Sequence, residues 1–454
     1  MSKQVTNIKQ HRQETYTTEK SVQVFHLEIT LAEVDSSHLI ATTCLGYHQP
    51  IRVERLYARK GERAVGIYFL YLHEHVLEVE LHEVAIQKDF SIEDQCILLM
   101  PTLNVSAPAK VILAGEHAAV YGLNAIAAAT SMRTTVTLFP LSSNLPHQLK
   151  ISFDQYSCEI DTEKLIPCIP SKLSLADSSI QQSILRLAPV VPHDLSDVRP
   201  IVVTLLLLTH ISLSTSNISP TDLSLDLTIS SDIPQSIGLG SSSALCTSLA
   251  ASFLCWCGKI GVFPEDKDIE AVCKWARLGE IVFHGTPSGI DTSTSALGGF
   301  VLIEKHQPLL IVDSTRQRPQ GGTAAAVSLV ERNIREDKKK LLALERINVV
   351  VGKLIASSPH GLSLPELAEL FNENHLLLTE IGVGFDEAED IRRICSQFGY
   401  SAKITGAGLG GCLLAIPTSL SVESDGVSAA LKDRGYKVYK STLGGAGLDI
   451  NLIS

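Results

Sequence analysis

The stretch Pro234-Gln-Ser-Ile-Gly-Leu-Gly-Ser-Ser-Ser-Ala244 decides how the rest of the chain is interpreted. The alternating residues Leu223–Ile229 before it predict a strand, and the Ala- and Leu-rich residues Ala244–Trp256 after it predict a helix. A glycine-rich turn between a strand and a helix directs free backbone N–H groups and the positive end of the helix dipole towards an anion. The pattern therefore indicates a cradle for a nucleoside triphosphate, and a flexible Gly/Ser turn with a helix cap is the alternative.

Composition and charge exclude several classes of protein. The 454 residues are 45% apolar and 19% charged, which is typical of a globular protein with two or three domains. The net charge of -11 argues against nucleic acid as a partner. No apolar run approaches the roughly 18 residues that a membrane span requires, and the polar N-terminus has no signal-peptide core. The ten cysteines include no C-x-x-C pair, so they predict reduced thiols and a cytoplasmic protein.

The first hundred residues differ in character from the rest. Residues 1–20 are polar and are predicted to be a disordered tail. Residues 21–102 contain alternating runs such as Val76–Val84, which predict a small β-rich extension of undefined role. His73 and His75 would share one face of a strand, a spacing that a metal site can use, but a solvated charged face is the favoured interpretation and no chemistry is assigned to either segment.

After residue 102, several ionisable residues lie at positions where they need a partner. Lys110 lies within an otherwise apolar predicted strand, where an unpaired ammonium is costly. Glu116 and His117 follow this strand in a turn. Glu280 lies near the end of a predicted helix, and Asp291 lies in the tight loop after it. Each of these residues taken alone also fits a helix cap, a turn or a solvated side chain.

Taken together, these residues match the needs of phosphoryl transfer. Such an enzyme needs a phosphate cradle, a metal held by oxygen ligands, a cation near the phosphoryl group and a group that receives the acceptor's proton. The respective candidates are the 236–242 turn, Ser242 with Glu280, Lys110, and Asp291. Neither a P-loop pattern nor a Rossmann G-x-G-x-x-G is present. The residues therefore indicate a phosphotransferase without a P-loop, and they select no substrate.

Three segments resemble the motifs of the GHMP small-molecule kinases, in the same order and with similar spacing. They are Ala107–Gly122, Ile233–Ala244 and Lys403–Cys412. Within that superfamily, Gly115-Glu-His117 and the segment from Lys274 to Asp291 resemble the mevalonate kinase family. The resemblance extends over about residues 103–454, and the departures from the family pattern are Gln235–Ile237, Thr292 and Leu409.

The resemblance implies a catalytic set and a metal-binding set. Asp291 corresponds to the base that takes the proton of the acceptor hydroxyl, and Lys110 corresponds to the cation beside it, which also contacts ATP. Ser242 and Glu280 correspond to the ligands of a Mg2+ ion.

The resemblance also implies the residues that hold the two substrates. Glu116, His117 and Thr323 correspond to residues of the acceptor pocket. Besides Lys110, the residues implied to contact ATP are Ser231, Ser236, Ile237, Gly238, Leu239, Gly240, Ser241, Ser242 and Gly408.

The fold and the reaction that the resemblance implies are expectations at this point. An α+β fold with two lobes is expected, a ribosomal protein S5-like half at residues 103–300 and a ferredoxin-like half at residues 301–454, with the nucleotide between them. The expected reaction is the ATP- and Mg2+-dependent phosphorylation of (R)-mevalonate to 5-phosphomevalonate, and a homodimer is expected from the family alone. The alternatives are another GHMP kinase, such as a phosphomevalonate or sugar kinase, and a catalytically weak sensor or scaffold protein.

Overall fold

The computed structural model of this protein divides the chain into two units, Met1–Ile97 and Leu98–Ser454. In the first unit only short strands are described. In the second unit the described residues are 102–141, 148–153, 156–168, 177–191, 197–214, 224–234, 237–284, 287, 289–299, 307–357 and 362–453.

The described part of the first unit consists of short antiparallel strands. They form two three-stranded sheets, one of β1 (Thr6–Ile8), β2 (Ile29–Asp35) and β3 (His38–Thr43), the other of β4 (Arg52–Val53), β5 (Gly66–Leu72) and β6 (His75–Leu81). The predicted β-rich character of this extension is confirmed. Strand β1 falls inside the tail at 1–20 that was predicted to be disordered, and the rest of that tail lies outside the described residues.

A mixed sheet runs through the second unit and contains ten strands among the described residues. The strands are β7 (Thr102–Ala114), β8 (Ile126–Pro140), β9 (Gln148–Phe153), β10 (Tyr156–Asp161), β11 (Leu225–Ser231), β12 (Gln307–Asp313), β13 (Tyr400–Ile404), β14 (Cys412–Pro417), β15 (Lys437–Leu443) and β16 (Asp449–Ile453). Their order is β10-β9-β11-β8-β15-β12-β14-β13, and β7 pairs with both β8 and β16. The long strand β8 joins the two halves of the sheet, because its Thr130 is aligned with Leu443 of β15.

Helices cover the sheet in both halves. Their bounds are α1 Asp177–Leu187, α2 Arg199–Ser214, α3 Ser241–Trp256, α4 Asp266–His284, α5 Ile290–Leu297, α6 Gly322–Glu336, α7 Lys338–Ala356, α8 Leu364–Glu380, α9 Asp386–Gln397 and α10 Ser424–Asp433. Helix α3 is buried from Ser243 to Cys255, as expected for a helix that is apolar on all sides. In the described part of the chain, no helix combines the length and the apolar character that crossing a membrane would require.

Two apolar cores correspond to the two halves of the sheet. One core unites α2, α3 and α4 with strands β8, β9 and β11, and the other unites α7, α8 and α9 with strands β12, β13 and β14. The predicted helices at Pro200–Leu213 and Ala244–Trp256 are confirmed. The interpretation of residues 142–198 as a surface excursion with a hairpin was incomplete, because helix α1 and the buried Ile180 and Leu187 contribute to the first core. The cysteines of the described residues are free thiols.

Arg133 fastens the C-terminal strand to the first half of the sheet. Its guanidinium donates to the Ala446 carbonyl at 2.8 Å, to the Gly447 carbonyl at 2.6 Å, and to the hydroxyl and carbonyl of Ser106 at 2.9 and 2.8 Å. Strand β16 then pairs with β7. The last residues of the chain, which the sequence assigned to the second lobe, therefore complete the sheet of the first.

His375 connects two helices and a strand in the second core. It is fully buried in α8, its Nδ1 accepts a 3.2 Å hydrogen bond from the Ile404 N–H of β13, and its Nε2 lies 2.8 Å from the Glu389 carboxylate of α9. An Nδ1 that accepts leaves Nε2 as the protonated donor of a neutral ring. Burial is the main reason that the pKa of His375 falls from 6.5 to about 4, and the bond to Glu389 opposes this shift.

A pH-dependent loss of stability follows from this histidine. Between pH 6.5 and about 4 the unfolded chain binds a proton on His375 that the folded chain does not, so the free energy of unfolding decreases as the pH falls. For His375→Gln, we expect urea unfolding to show a decrease between pH 7 and pH 5 that is about 2 kcal/mol smaller than in the wild type. The variant also removes the hydrogen bond from His375 that lowers the pKa of Glu389, whereas the other titratable groups are common to both proteins, so equal decreases would contradict the assignment.

Candidate active site

The glycine-rich turn leads from strand β11 into helix α3. Gly238 and Gly240 have φ angles of 92° and 72°, which residues with a Cβ rarely adopt. Gly240 is the N-cap residue of α3 and provides no side-chain cap. The first N–H groups and the helix dipole can therefore bind an anion. Gln235 and Ser236 lie outside the described residues.

Strand β7 places Lys110 against this turn. Its backbone N–H donates a 2.9 Å hydrogen bond to the Leu239 carbonyl. Its side chain packs over Gly240, where a Cβ would lie only 2.9 Å from Lys110 Cγ. Lys110 Nζ is 3.0 Å from Asp291 Oδ1, and the two side chains are 7% and 31% exposed. The lysine is thus shielded, and Asp291 remains open to a second partner.

Helix α5 carries Asp291 in its first turn. Gly289, with a φ of 86°, precedes the helix and allows the sharp entry. The positive end of the helix dipole stabilises a carboxylate at this position. Arg277 of α4 donates from Nε to the Pro287 carbonyl at 3.1 Å, which holds the loop before α5 against α4.

Glu280 is a buried carboxylate in α4. It is 2% exposed, and its Oε1 has no hydrogen-bond partner among the described residues. Burial and, secondly, repulsion by Asp291 raise the pKa of Glu280 to about 8, although Lys110 and Arg277 act in the opposite direction. A cation bound beside Glu280 would remove this penalty. The position therefore fits a metal ligand.

Helix α3 presents Ser242 to the same helix α4. The Ser242 hydroxyl lies 3.0 Å from His284 Nε2, one turn after Glu280. Gly279 permits the close packing of α4 against α2 and α3, because a Cβ there would lie 2.6 Å from Val203 Cγ2 of α2 and 3.0 Å from Cys246 Sγ of α3. Helix α3 thus carries a hydroxyl beside His284 of α4, and α4 carries a carboxylate near Lys110 and Asp291 whose Oε1 has no partner among the described residues. Their role as a metal site stays a prediction.

Arg318 lies between the glycine-rich turn at Gly238 and Gly240 and a second glycine-rich loop, Gly406–Gly411. A Cβ at Gly238 would be 2.9 Å from Arg318 Nη2, and a Cβ at Gly411 would be 2.7 Å from the same atom. Arg318 Nε and Nη2 are buried without a hydrogen-bond partner in the described part of the chain, and burial lowers the pKa of the guanidinium. Such a group is a receptor for phosphate or carboxylate. It borders a cleft of about 500 Å³ lined by Ile237, Asp313, Thr315, Arg316, Gln317, Arg318, Gly322, Thr323, Gly411 and Lys437.

Comparison with known proteins decides the family. Residues 205–299 match the N terminal domain of the GHMP kinases, and residues 360–437 match the GHMP kinase C terminal family. Mevalonate kinase from Bos taurus is 30% identical over 395 residues, a match that covers 78% of this chain and 96% of that protein. The chain belongs to the mevalonate kinase family.

Two further mevalonate kinases extend the comparison. The protein from Arabidopsis thaliana is 32% identical over 376 residues, which cover 76% of this chain and 98% of that protein. The structure of mevalonate kinase from Methanococcus jannaschii has a TM-score of 0.57 at 20% identity, with 75% of this chain and 98% of that chain covered. The predicted two-lobed α+β fold is confirmed.

Glu116 and His117, which the sequence assigned to the acceptor pocket of a mevalonate kinase, have partners inside the protein. The Glu116 carboxylate forms an ion pair with Lys403 and accepts a 2.9 Å hydrogen bond from Asn374 Nδ2. His117 Nε2 lies 3.0 Å from the Ala407 carbonyl, and burial lowers the pKa of the ring. Substrate contact stays a prediction for both residues.

Three other residues that the sequence assigned to the site have different surroundings in the structure. Thr323 lines the cleft beside Arg318. Ser231 bonds within the sheet, since its hydroxyl is 2.9 Å from Thr134 Oγ1. Gly408 packs so closely that a Cβ there would be 2.7 Å from the Val383 carbonyl oxygen. Ser231 and Gly408 therefore have structural contacts, and their contact with ATP stays a prediction.

Three residues of this centre were assigned no role from the sequence. Arg318 lies in a polar loop that carries no motif, so no local signal identifies it. His284 and Lys403 lie inside segments that resemble family motifs, but their partners, Ser242 and Glu116, are remote in sequence. Lys403 is an isolated charge in an apolar strand, which is the signal that identified Lys110. The same signal could have identified Lys403 from the sequence.

Gly240→Ala is expected to displace Lys110. The new Cβ would meet the lysine stem at 2.9 Å, and the φ of 72° adds backbone strain. We expect the rate of ATP-dependent phosphoryl transfer to fall at least about tenfold. Gly435→Ala is the matched control, because its φ is 95° and a Cβ there has no neighbour within 4 Å. Equal rates for the two variants would show that Gly240 does not fix Lys110.

Proposed function

We propose that the chain catalyses the phosphorylation of (R)-mevalonate by ATP, giving 5-phosphomevalonate and ADP. The observation that carries the proposal is the Lys110–Asp291 ion pair of 3.0 Å beside the glycine-rich turn, in a chain of the mevalonate kinase family. The turn offers a site for the triphosphate, and the open side of Asp291 offers a site for the acceptor hydroxyl. Direct transfer requires these two sites to be adjacent.

Asp291 is the base in this reaction. Its carboxylate accepts the proton of the 5-hydroxyl while the hydroxyl oxygen bonds to the γ-phosphorus and the bond to the ADP oxygen breaks. Lys110 orients the carboxylate, and its charge balances the negative charge on the transferred group. The free N–H groups at the start of α3 hold the phosphates that remain on the nucleotide.

Ser242 and Glu280 would hold Mg2+. The fit rests on the Glu280 Oε1 that lacks a partner in the described residues and on the hydroxyl that α3 presents beside α4. Mg2+ bound there would neutralise part of the phosphate charge and orient the triphosphate. His284 is 3.0 Å from the Ser242 hydroxyl and so orients the side chain of this ligand.

Arg318 is proposed as a further phosphate-binding residue. Its Nε and Nη2 groups, which have no hydrogen-bond partner among the described residues, lie against Gly238 of the glycine-rich turn and Gly411 of the second glycine-rich loop. At both positions a side chain would occupy the space next to the guanidinium. Glycines on both sides therefore leave room for an anion to reach Arg318.

Some predictions extend the proposal beyond the site. A homodimer rests on the family resemblance. A cytoplasmic location rests on the free thiols of the described cysteines. The lobe boundary at residue 300 likewise remains a proposal.

Replacing the base tests the proposed function. We expect the wild type to release ADP in a manner that requires mevalonate and Mg2+, and Asp291→Asn to lower kcat by at least about a thousandfold. The Kd for ATP, measured by calorimetry, should stay within about threefold, since the phosphate contacts remain. Asp386→Asn is the matched control, because Asp386 is an exposed carboxylate in the first turn of another helix, α9.

Two outcomes would contradict the proposal. Wild-type activity in Asp291→Asn would remove Asp291 from its role as the base. A faster reaction with phosphomevalonate or a sugar than with mevalonate, in a panel of acceptors at equal concentration, would reject the substrate.

Arg318→Met tests the phosphate-binding role. Loss of a charge-assisted contact to the nucleotide should raise the KM for ATP at least about tenfold, while the KM for mevalonate changes little. Arg335→Met in helix α6 is the control, because this arginine is exposed and pairs with Glu331 on the surface. A rise in the KM for mevalonate alone would instead place the acceptor's carboxylate at Arg318.

A further inference from the structure

Part of strand β7 lacks a neighbouring strand on one edge. Its other edge pairs with β8, and β16 covers the free edge only from Thr102 to Ser106. Beyond that point, among the described residues, the edge runs without a β partner through Lys110 and Ile112. Buried backbone groups need hydrogen bonds, so this edge must be completed in another way.

The side chains of Lys403, near the end of strand β13, and Thr405, directly after it, complete the edge at Ile112. The Thr405 hydroxyl accepts a hydrogen bond from the Ile112 N–H and is positioned to donate to the Ile112 carbonyl, both at 3.1 Å. Lys403 Nζ donates to the same carbonyl at 3.2 Å. Two residues earlier on the same edge, the Lys110 N–H donates to the Leu239 carbonyl. The side chains of Lys403 and Thr405 and the backbone of the glycine-rich turn thus take the place of a neighbouring strand.

Lys403 is fixed in position by its surroundings. It is fully buried, its ammonium pairs with the Glu116 carboxylate, and it lies 5.6 Å from the centre of the Phe371 ring. Asn374 Nδ2 donates to the second oxygen of Glu116. Because burial disfavours an ammonium without partners, Lys403 has little freedom to leave Glu116 and the Ile112 carbonyl.

The turn after β7 is held by the same part of the chain. His117 adopts a φ of 63°, which is unusual for a residue with a side chain, and its ring contacts the Ala407 carbonyl at 3.0 Å. Ala407 belongs to the second glycine-rich loop, which begins directly after Thr405. The segment 403–407 therefore contacts β7 and its turn at successive points.

We propose that Lys403 and Thr405 are positioning residues for Lys110. By completing the edge of β7 at Ile112, they set where the Lys110 ammonium meets Asp291. The catalytic role of Lys110 in this inference rests on the proposed function. The contacts of Lys403 and Thr405 with Ile112, here called the link, are features of the structure. A shift of about 1 Å in β7 would be enough to separate Nζ from Oδ1, and misplacement on this scale can cost a hundredfold in rate.

The test uses two variants that weaken the link in different ways. Thr405→Val keeps the shape of the side chain and removes both hydrogen bonds to Ile112. The double variant Lys403→Met with Glu116→Gln removes both buried charges, so that neither is left unpaired. Ser401→Ala is the matched control, because Ser401 lies on the same strand and bonds only Ala368 and Asn372 among the contacts described.

The kinetic readout separates positioning from general damage. We expect each link variant to lower kcat at least about tenfold while the KM for ATP changes less than about threefold, and Ser401→Ala to stay near the wild type. In a Lys110→Met background the same changes should lower kcat by less than about twofold, because the residue through which they act is already absent. Wild-type kcat in both link variants, or a full further loss in the Lys110→Met background, would overturn the proposal.

Exchange of the Ile112 amide hydrogen gives a readout that does not depend on activity. It should lose protection in Thr405→Val and keep it in Ser401→Ala. Unchanged protection in Thr405→Val would show that the hydroxyl does not hold this edge. A wild type that releases no ADP with mevalonate would reject the proposed function, and the exchange experiment would still decide whether the link exists.

Discussion

A lysine within an apolar strand requires a carboxylate nearby. In the unit Leu98–Ser454, two such lysines form ion pairs with carboxylates that are remote in sequence. Lys110 finds its partner in Asp291 at the start of helix α5, and Lys403 finds its partner in Glu116 at the turn after β7. The second pair joins residues that are 287 positions apart in sequence. Apolar packing fills the two cores, whereas these charges fix how the strand that carries Lys110 is aligned with the loops around it.

Glu280 indicates that the site is not arranged for stability alone. The same small region contains the Lys110 ammonium, the Asp291 carboxylate that it pairs with, and a second carboxylate whose Oε1 has no partner in the described residues. Burial and repulsion by Asp291 raise the pKa of Glu280 to about 8, so keeping this group ionised is unfavourable in the absence of a bound metal ion. A structure that keeps such a group buried is suited to binding a cation, because binding would relieve the repulsion between the two carboxylates.

The features that the sequence predicted were those with a local signal. Glycines that require a positive φ, alternation in strands and an apolar helix free of Gly and Pro located the turn at Gly238 and Gly240 and the helix after it. The role of Arg318 was not predicted, because a guanidinium in a polar loop looks solvated until the fold places it between two glycine loops. Helix α1 was missed because the segment around it is rich in Ser and Pro, although the helix itself contains the apolar residues Ile180, Ile184, Leu185 and Leu187.

Leu409 illustrates why a departure from a motif need not change the loop. Its φ of 58° is the conformation for which glycine is the usual residue, and for a leucine it costs on the order of 1–2 kcal/mol. The Leu409 N–H nevertheless donates a 2.9 Å hydrogen bond to the Val383 carbonyl, and its side chain packs against the second core. The backbone of this loop is therefore set by the neighbours that it contacts, and burial of the leucine side chain offsets part of the strain. A glycine would remove the strain and lose the packing, so either residue is compatible with the same path of the chain.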